Sequence, residues 1–316
     1  MGKIKLGILA GGSSAEREVS FRSCENLMNS LDKNKYDIHI YSLPGDNDRE
    51  WIKELMENTP DIVVSALHGG HGENGSVQGL LQCMGIPYVG SKVLSSALCM
   101  DKKSAKTVLE ANHIQTAADV FIKRGESMGL FADEIRQLGF PLIVKPNRGG
   151  SSIGIAIVSD FNELERAVQN IFENYNDDAL VEKFIKGREI TCCVFENKNT
   201  PEVMAVLEVN KKGEIFDYED KYERGVSSAL SKMPEYMQDM VKTIGVKTYS
   251  LLECADYACV DMIVMEEQIY VIEVNTLPGL TENSIVPEAC SNYGIGFGEF
   301  MDSLIERELS GKGAYI

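Results

Sequence analysis

A chain of 316 residues with 44% hydrophobic and 25% charged residues has the balance of an ordinary folded protein and is long enough for two or three packed units. Its formal net charge of −17 argues against a binder of nucleic acid or of anionic membranes, though a nucleotide could still sit in a local cationic pocket. No apolar run approaches the roughly 18 residues of a membrane span, and the apolar part of "MGKIKLGILAGG" is too short for a signal peptide and reads as a first strand. Eight cysteines without a CxxC pair point to reduced, mostly buried thiols and a cytoplasmic location. Four histidines with no Cys/His cluster argue against structural zinc.

Along the first hundred residues strand and helix signals alternate. Lys3–Ala10 reads as a strand, "GGSSAERE" as a glycine turn opening a helix that runs to about Leu31, and "DIHIYSL" as a second strand. Trp51–Asn58 is a short helix, "DIVVSAL" a strand and "VQGLLQCMG" a helix, which together predict a parallel α/β unit over 1–100. From Asp101 the texture changes. A helix at Lys103–Ala111 precedes "GFPLIVKPNRGGSSIGIAIV", two β-rich runs around a Gly/Ser loop. Asp160 and Glu163 are spaced as a capping box for a helix over Asp160–Glu173, and "ALVEKFI" closes a second unit, 101–185. The third unit, 186–316, holds strands near 190–195, 202–208 and 257–275 and a helix near 235–252. Cys192 and Cys193 are neighbours in a strand, so their side chains should face opposite ways.

The stretch "YACVDMIVMEEQIYVIEVNTLPGLT" sets Asp261, Glu273 and Asn275 among apolar, β-branched neighbours. A buried carboxylate without a cationic partner costs several kcal/mol, so something positive should lie against these oxygens. Glu273 and Asn275 share a strand face, and Asp261 falls opposite Glu273 if the two strands form a hairpin whose loop has an odd number of residues. Two carboxylates and an amide oxygen suit Mg²⁺, which takes hard oxygen ligands and shares them with phosphates. The bland alternative is a solvent-facing strand with scattered acids. "VKPNRGGSSIG" places Lys145 at the end of an apolar strand before a loop able to wrap phosphate with backbone N–H groups, or to be a plain turn; it is not a Walker A motif. In "VEKFIKGREIT", Glu182 and Glu189 could bond adenine and ribose, although spacing alone favours surface charges. His68, His71 and Glu73 lie in a glycine-rich loop after a strand, where a satisfied polar loop is a better reading than a metal site.

Taken in order, "GGSSAEREVS", "LHGGHGENGSVQG", "SSALCMDKKSAK", "IVKPNRGGSSIG", "VEKFIKGREIT", "YEDKY", "VDMIV" and "IEVNTLPGLTENSIVP" resemble the D-alanine–D-alanine ligases of the ATP-grasp superfamily, over essentially the whole chain. The resemblance implies an ATP-grasp fold: an N-terminal parallel α/β domain, a central ATP-binding subdomain and a C-terminal α+β subdomain. It implies peptide-bond synthesis from two D-alanines, with ATP and two Mg²⁺ ions (Mn²⁺ as a substitute), for peptidoglycan, and a homodimer. Lys102 and Lys145 look like phosphate-contacting lysines, with Ser151, Ser152 and Lys183 beside the nucleotide, and Lys221 like a lid lysine near the γ-phosphate. Glu182 and Glu189 match the adenine and ribose partners, which reverses the surface reading, and Asp261, Glu273 and Asn275 match the metal ligands. Glu16 resembles the residue that holds the first amino acid's ammonium, with Ser151 and Tyr222 as its partners, while Gly279, Ser284 and the Ile285 backbone match the cradle for the second carboxylate.

The resemblance breaks at Cys259. Most of the family has arginine two residues before the metal-binding Asp; here the segment reads Ala258-Cys259-Val260-Asp261, which implies slow turnover unless Arg148 or Arg224 reaches in from a lid. "YERGVSSALSKMPEYMQ" also lacks the family's aromatic lid stretch, so another acceptor such as D-serine, or a degenerate homologue that only binds nucleotide, stays open.

Overall fold

The structure is a computed structural model that describes residues 2–45, 49–209 and 228–311. Three sheets draw their strands from successive stretches of the chain. The first is built from β1 (Ile4–Gly11), β2 (Tyr36–Leu43), β3 (Ile62–Ser65) and β4 (Tyr88–Val89), all parallel in the order β2-β1-β3-β4. Its central strands are apolar on both faces because helices cover both. Leu6, Ile8 and Ala10 face α1 (Arg17–Ser30), while Leu9 packs with Leu55 of α2 (Glu50–Glu57) and Leu81 of α3 (Ser76–Cys83).

Two helices follow, α4 (Val93–Met100) and α5 (Lys102–Ala111), the second capped by the Asp101 carboxylate. The central sheet has the order β5-β8-β6-β7, from β5 (Asp119–Ile122), β6 (Leu142–Pro146), β7 (Ala156–Val158) and β8 (Ala179–Lys183). Its core includes Ile135 of α6 (Ala132–Leu138) and Leu164 and Val168 of α7 (Phe161–Asn170). Asp160 caps α7 as its spacing predicts, and Glu163 accepts from the Ser159 amide at 2.8 Å, one residue earlier than a strict capping box requires.

The third sheet is antiparallel, in the order β11-β10-β9-β12-β13: β9 (Arg188–Asn197), β10 (Thr200–Val209), β11 (Ser228–Leu230), β12 (Tyr257–Met265) and β13 (Gln268–Asn275). One face packs on α8 (Glu235–Leu251) and on α5; there lie Cys192, Val260 and Met262. The other face carries Cys193, Phe195, Tyr257 and Cys259 into a core shared with the first unit. Adjacent cysteines 192 and 193 therefore belong to different cores, as the pleat requires.

Two helices that the reading along the chain left unassigned, α9 (Ile285–Tyr293) and α10 (Phe297–Leu309), close that shared core with Val286, Ala289, Phe300 and Leu304. Pro287 in the first turn of α9 disguises it as a loop, although proline is tolerated there because the first N–H groups have no intrahelical partner. Gly298 touches the end of α1 so closely that a Cβ there would overlap the Ser30 carbonyl oxygen. A backbone atom cannot swing aside. Gly298→Ala should therefore destabilise the protein by about 1–3 kcal/mol, read as a lower thermal midpoint, despite alanine's better helix propensity.

Candidate functional site

The three sheets face one cavity of about 230 Å³, lined by every described residue that the resemblance assigns to amino acid, nucleotide or metal, whereas His68, His71 and Arg148 do not line it. Lys221, Tyr222 and Arg224 lie outside the described residues.

One wall is the β9–β12–β13 surface. The turn between β12 and β13 holds two residues, Glu266 and Glu267, since Met265 pairs with Gln268. That even number would set Ile272 opposite Asp261. The register instead shifts between Asp261 and Met262, with Met262 opposite Val271 and Asp261 opposite Glu273, so a bulge at Ile272 supplies the parity expected of an odd loop. Cys259 then pairs with Asn275 on the same face. The carboxylates are half-buried at the cavity wall and not sealed in a core, which corrects the expectation of buried charge: ligand or water can reach them. The Glu273 carboxylate meets the Lys102 ammonium at 3.2 Å, and Asp261 accepts from the Thr191 hydroxyl at 2.6 Å. Asn275 Oδ1 accepts from the Leu277 amide at 3.0 Å, which fixes the turn into the following loop.

The central sheet supplies the opposite wall. Lys145 ends β6 and pairs with Glu182 of β8 at 2.6 Å, both almost fully buried. Burial would raise the Glu182 carboxyl, but Lys145 and Lys106 outweigh it and hold the group below the usual carboxylate range, so it stays ionised. Lys183 turns its ammonium to the Gly139 carbonyl at 2.8 Å. The loop after Lys145 holds Ser151 and Ser152 at φ 51° and 58°, two successive non-glycine residues in the left-handed region. Such strain persists where the surroundings enforce it, and here the loop is tied by the Lys102 ammonium on the Gly149 carbonyl at 2.5 Å and by the Ser151 hydroxyl, which donates to Glu16.

The first unit closes the cavity with the loops at the C-terminal ends of its strands, where parallel sheets place ligands. Glu16 lies just before α1, and Glu73 lies in the loop after β3. His68 is buried; its Nδ1 donates to the Leu277 carbonyl at 3.2 Å and its Nε2 accepts from Ser23 at 3.0 Å, and burial keeps it neutral by lowering its pKa. The satisfied-loop reading holds for this histidine. It misses Glu73, which faces the cavity near Glu16; its signal was a carboxylate in a glycine-rich turn at a strand's C-terminal end. At the far end Ser284 precedes α9, its hydroxyl 2.6 Å from that of Thr281, and a Cβ on Gly279 would lie 2.7 Å from Ser284 Oγ.

Two further expectations change. Arg148 does not reach into the cavity: it is tied to Asp101 at 3.1 Å, Asp177 at 3.1 Å and Asp178 at 3.4 Å, and anchors the loop from outside. Among the described residues no arginine lines the cavity. Cys259 does line it, yet is packed against Cys193 with the sulfurs 3.0 Å apart; the Cys193 hydrogen bond pulls its pKa down, but burial together with the nearby Asp261, Cys192 and Cys290 outweighs it and the net shift is upward, which favours the neutral thiol.

Family models described as the D-ala D-ala ligase N-terminus and C-terminus match residues 5–59, 47–91 and 109–306. A D-alanine–D-alanine ligase of Clostridium beijerinckii is 39% identical over 310 residues, covering 97% of this chain and 99% of the relative. The solved structure of the Bacillus anthracis D-alanine–D-alanine ligase complexed with ATP superposes with a TM-score of 0.84 at 35% identity, over 98% of both chains. The VanG D-Ala:D-Ser ligase of Enterococcus faecalis superposes with a TM-score of 0.82 at 29% identity, over 96% of this chain and 99% of that one.

Burial, and then the neighbouring Glu16, push the Glu73 carboxyl up from its ordinary 4.5 to about 8. A carboxyl raised on folding adds stability that is complete below its ordinary value and is lost as pH rises through the raised one. The stability of the ligand-free protein relative to Glu73→Gln should therefore fall between pH 5 and pH 9. Thermal midpoints of the two proteins across that range check it, and a constant difference would mean that Glu73 is not held protonated.

Proposed function

We infer that this chain, which belongs to the D-alanine–D-alanine ligase family, is an ATP-dependent ligase of the ATP-grasp fold that joins two D-alanine molecules into D-alanyl-D-alanine for cell-wall synthesis. The observation that carries the reading is the convergence in one cavity of the Asp261–Glu273 pair, Lys102 and Lys145, and the Glu16–Ser151 contact. Each answers a separate need of the reaction.

A carboxylate at neutral pH is anionic and has no leaving group, so an amine does not displace its oxygen. Phosphorylation by ATP turns it into an acyl phosphate, whose phosphate departs when the second amine attacks. In our reading Glu16 and the Ser151 hydroxyl hold the first D-alanine's ammonium, and Ser284 with the N-terminus of α9 and the backbone at Gly279 receives the second carboxylate. Lys102 and Lys145 lie against the phosphates, Glu182 against adenine and Glu189 against ribose, with Ser152 and the Lys183 backbone lining the nucleotide. The Gly/Ser loop, already tied to Glu16, covers the acyl phosphate against water.

Asp261, Glu273 and Asn275 fit Mg²⁺, with Mn²⁺ as a substitute. Two carboxylates and one amide oxygen are too few for a cage of their own, but they are what an ion arriving with phosphate oxygens still needs. Bound there, one or two such ions would neutralise charge on the transferring phosphoryl group. The protein's own part is to hold these oxygens on one strand face and to give Glu273 a second counter-charge in Lys102. The strand that carries Asp261 adds no cation of its own, because Cys259 stands two residues before it, and slow turnover is the expected outcome. Eight unbridged cysteines fit a reducing cytoplasm.

Purified protein offered ATP, Mg²⁺ and D-alanine should release phosphate and form D-alanyl-D-alanine, identified by mass. Product only when D-serine is added would move the acceptor, and no release with any D-amino acid would remove the ligase reading. Glu273→Gln, nearly isosteric, should abolish turnover and weaken Mn²⁺ binding to the ATP-loaded protein while leaving the thermal midpoint unchanged. Wild-type phosphate release by Glu273→Gln at low Mg²⁺ would make the metal assignment wrong.

A further inference from the structure

Behind the nucleotide wall the Lys145–Glu182 pair continues into three further charges, Lys106, Asp119 and Lys103, that the chemistry above does not use. Lys106 sits one turn beyond Lys102 on α5 and is almost completely buried. Its ammonium meets three acceptors: the Ala117 carbonyl at 2.5 Å, Glu182 Oε1 at 2.6 Å and Asp119 Oδ1 at 3.2 Å. The other Glu182 oxygen meets Lys145 at 2.6 Å, and the other Asp119 oxygen meets Lys103 at 2.8 Å. The order is Lys145–Glu182–Lys106–Asp119–Lys103, and of these only Lys145 and Glu182 line the cavity.

Two hydrogen bonds, to the Ala117 carbonyl and to Glu182, and the ion pair with Asp119 hold the Lys106 head, and the geometry gives it a task. Glu182 is flanked by one lysine on each oxygen, so its plane is set by both. Without Lys106, Glu182 and Asp119 would face each other across a buried gap as two like charges. Glu182 would then rotate or take up a proton, and Lys145 would lose the partner that aims it. The Lys106 bond to the Ala117 carbonyl also fixes another stretch of the same wall. Meanwhile Lys102, four residues earlier, reaches Glu273 on the third sheet, so α5 carries one lysine to each side of the cleft.

We propose that Lys106 is a positioning residue of the nucleotide site: it touches neither ATP nor amino acid, and it fixes Glu182, and through it Lys145, in the arrangement that receives the nucleotide. This rests on the reading of the cavity as the ATP site given above.

Lys106→Met keeps the side-chain volume and removes the charge. It should raise the Kd for ATP, titrated directly with Mg²⁺ present, and the KM for ATP by about tenfold or more, as expected when one member of a buried pair is deleted. The KM for D-alanine should stay within about twofold of the unaltered protein. In a Glu182→Gln background the same change should add little, because the group that Lys106 positions is already altered. Should Lys106→Met fail to fold, Lys106→Gln, which keeps a neutral donor to Glu182, reads the same split. Equal increases for ATP and D-alanine, effects that multiply with Glu182→Gln, or a lowered thermal midpoint with unchanged ATP binding would each overturn the proposal and leave Lys106 a fold staple. If the unaltered protein released no phosphate with D-alanine, the function would fall while the ATP titration still judged Lys106.

Discussion

Side chains on a strand alternate faces, so β12 and β13 joined by a two-residue turn would pair Ile272 with Asp261 and send Glu273 to the face packed on α8. One extra residue at Ile272 reverses this. After the bulge Glu273 opposes Asp261, Asn275 opposes Cys259, and the oxygen donors all belong to the cavity wall, while Met262 and Val264 before it keep their places in the apolar core. Both demands, a dry face against a helix and a charged face toward ligand, are met by one strand pair only because the register changes partway along. The Lys102 contact to Glu273, the turn fixed by Asn275 and the loop that carries Gly279 and Ser284 all follow from that shift.

The electrostatics of the site follow a second pattern, in which nearly every charge has a protein partner. Lys102 is held by Glu273, Lys145 by Glu182, Glu182 also by Lys106, and Arg148 by three aspartates. Pairing of this kind keeps long side chains in place before a ligand arrives, so that less ordering remains to be done on binding. Glu73 differs. It sits near another carboxylate, and it takes up a proton more readily than an ordinary glutamate.

Much of this was legible in the sequence because the signals were local. Alternation of strand and helix along the first unit, the Lys145 strand with its Gly/Ser loop, and Glu273 and Asn275 two residues apart are properties of short segments. Distance in the chain hid the rest. The bulge at Ile272 has no residue signature, so parity had to be assumed from the loop. Glu182 looked like a surface charge because its partners, Lys106 and Lys145, come from a helix and a strand far from it in sequence. Arg148 seemed free to enter the cavity until Asp101, Asp177 and Asp178 appeared around it. Helix α9 was obscured by Pro287, and β5 by its four-residue length.

The shared core of the first unit has a consequence for how the chain comes into being. Leu6 and Ile8 share a core with Phe300, Met301, Leu304 and Ile305, which come far later in the chain. Until α10 is synthesised, α1 alone covers the face of the first sheet that carries Leu6 and Ile8, and Lys35 lacks its partners Asp302 and Glu306. The first sheet thus waits, partly uncovered, until that distant helix has been made. The interval between the synthesis of β1 and that of α10 is when this sheet is open to association with other chains.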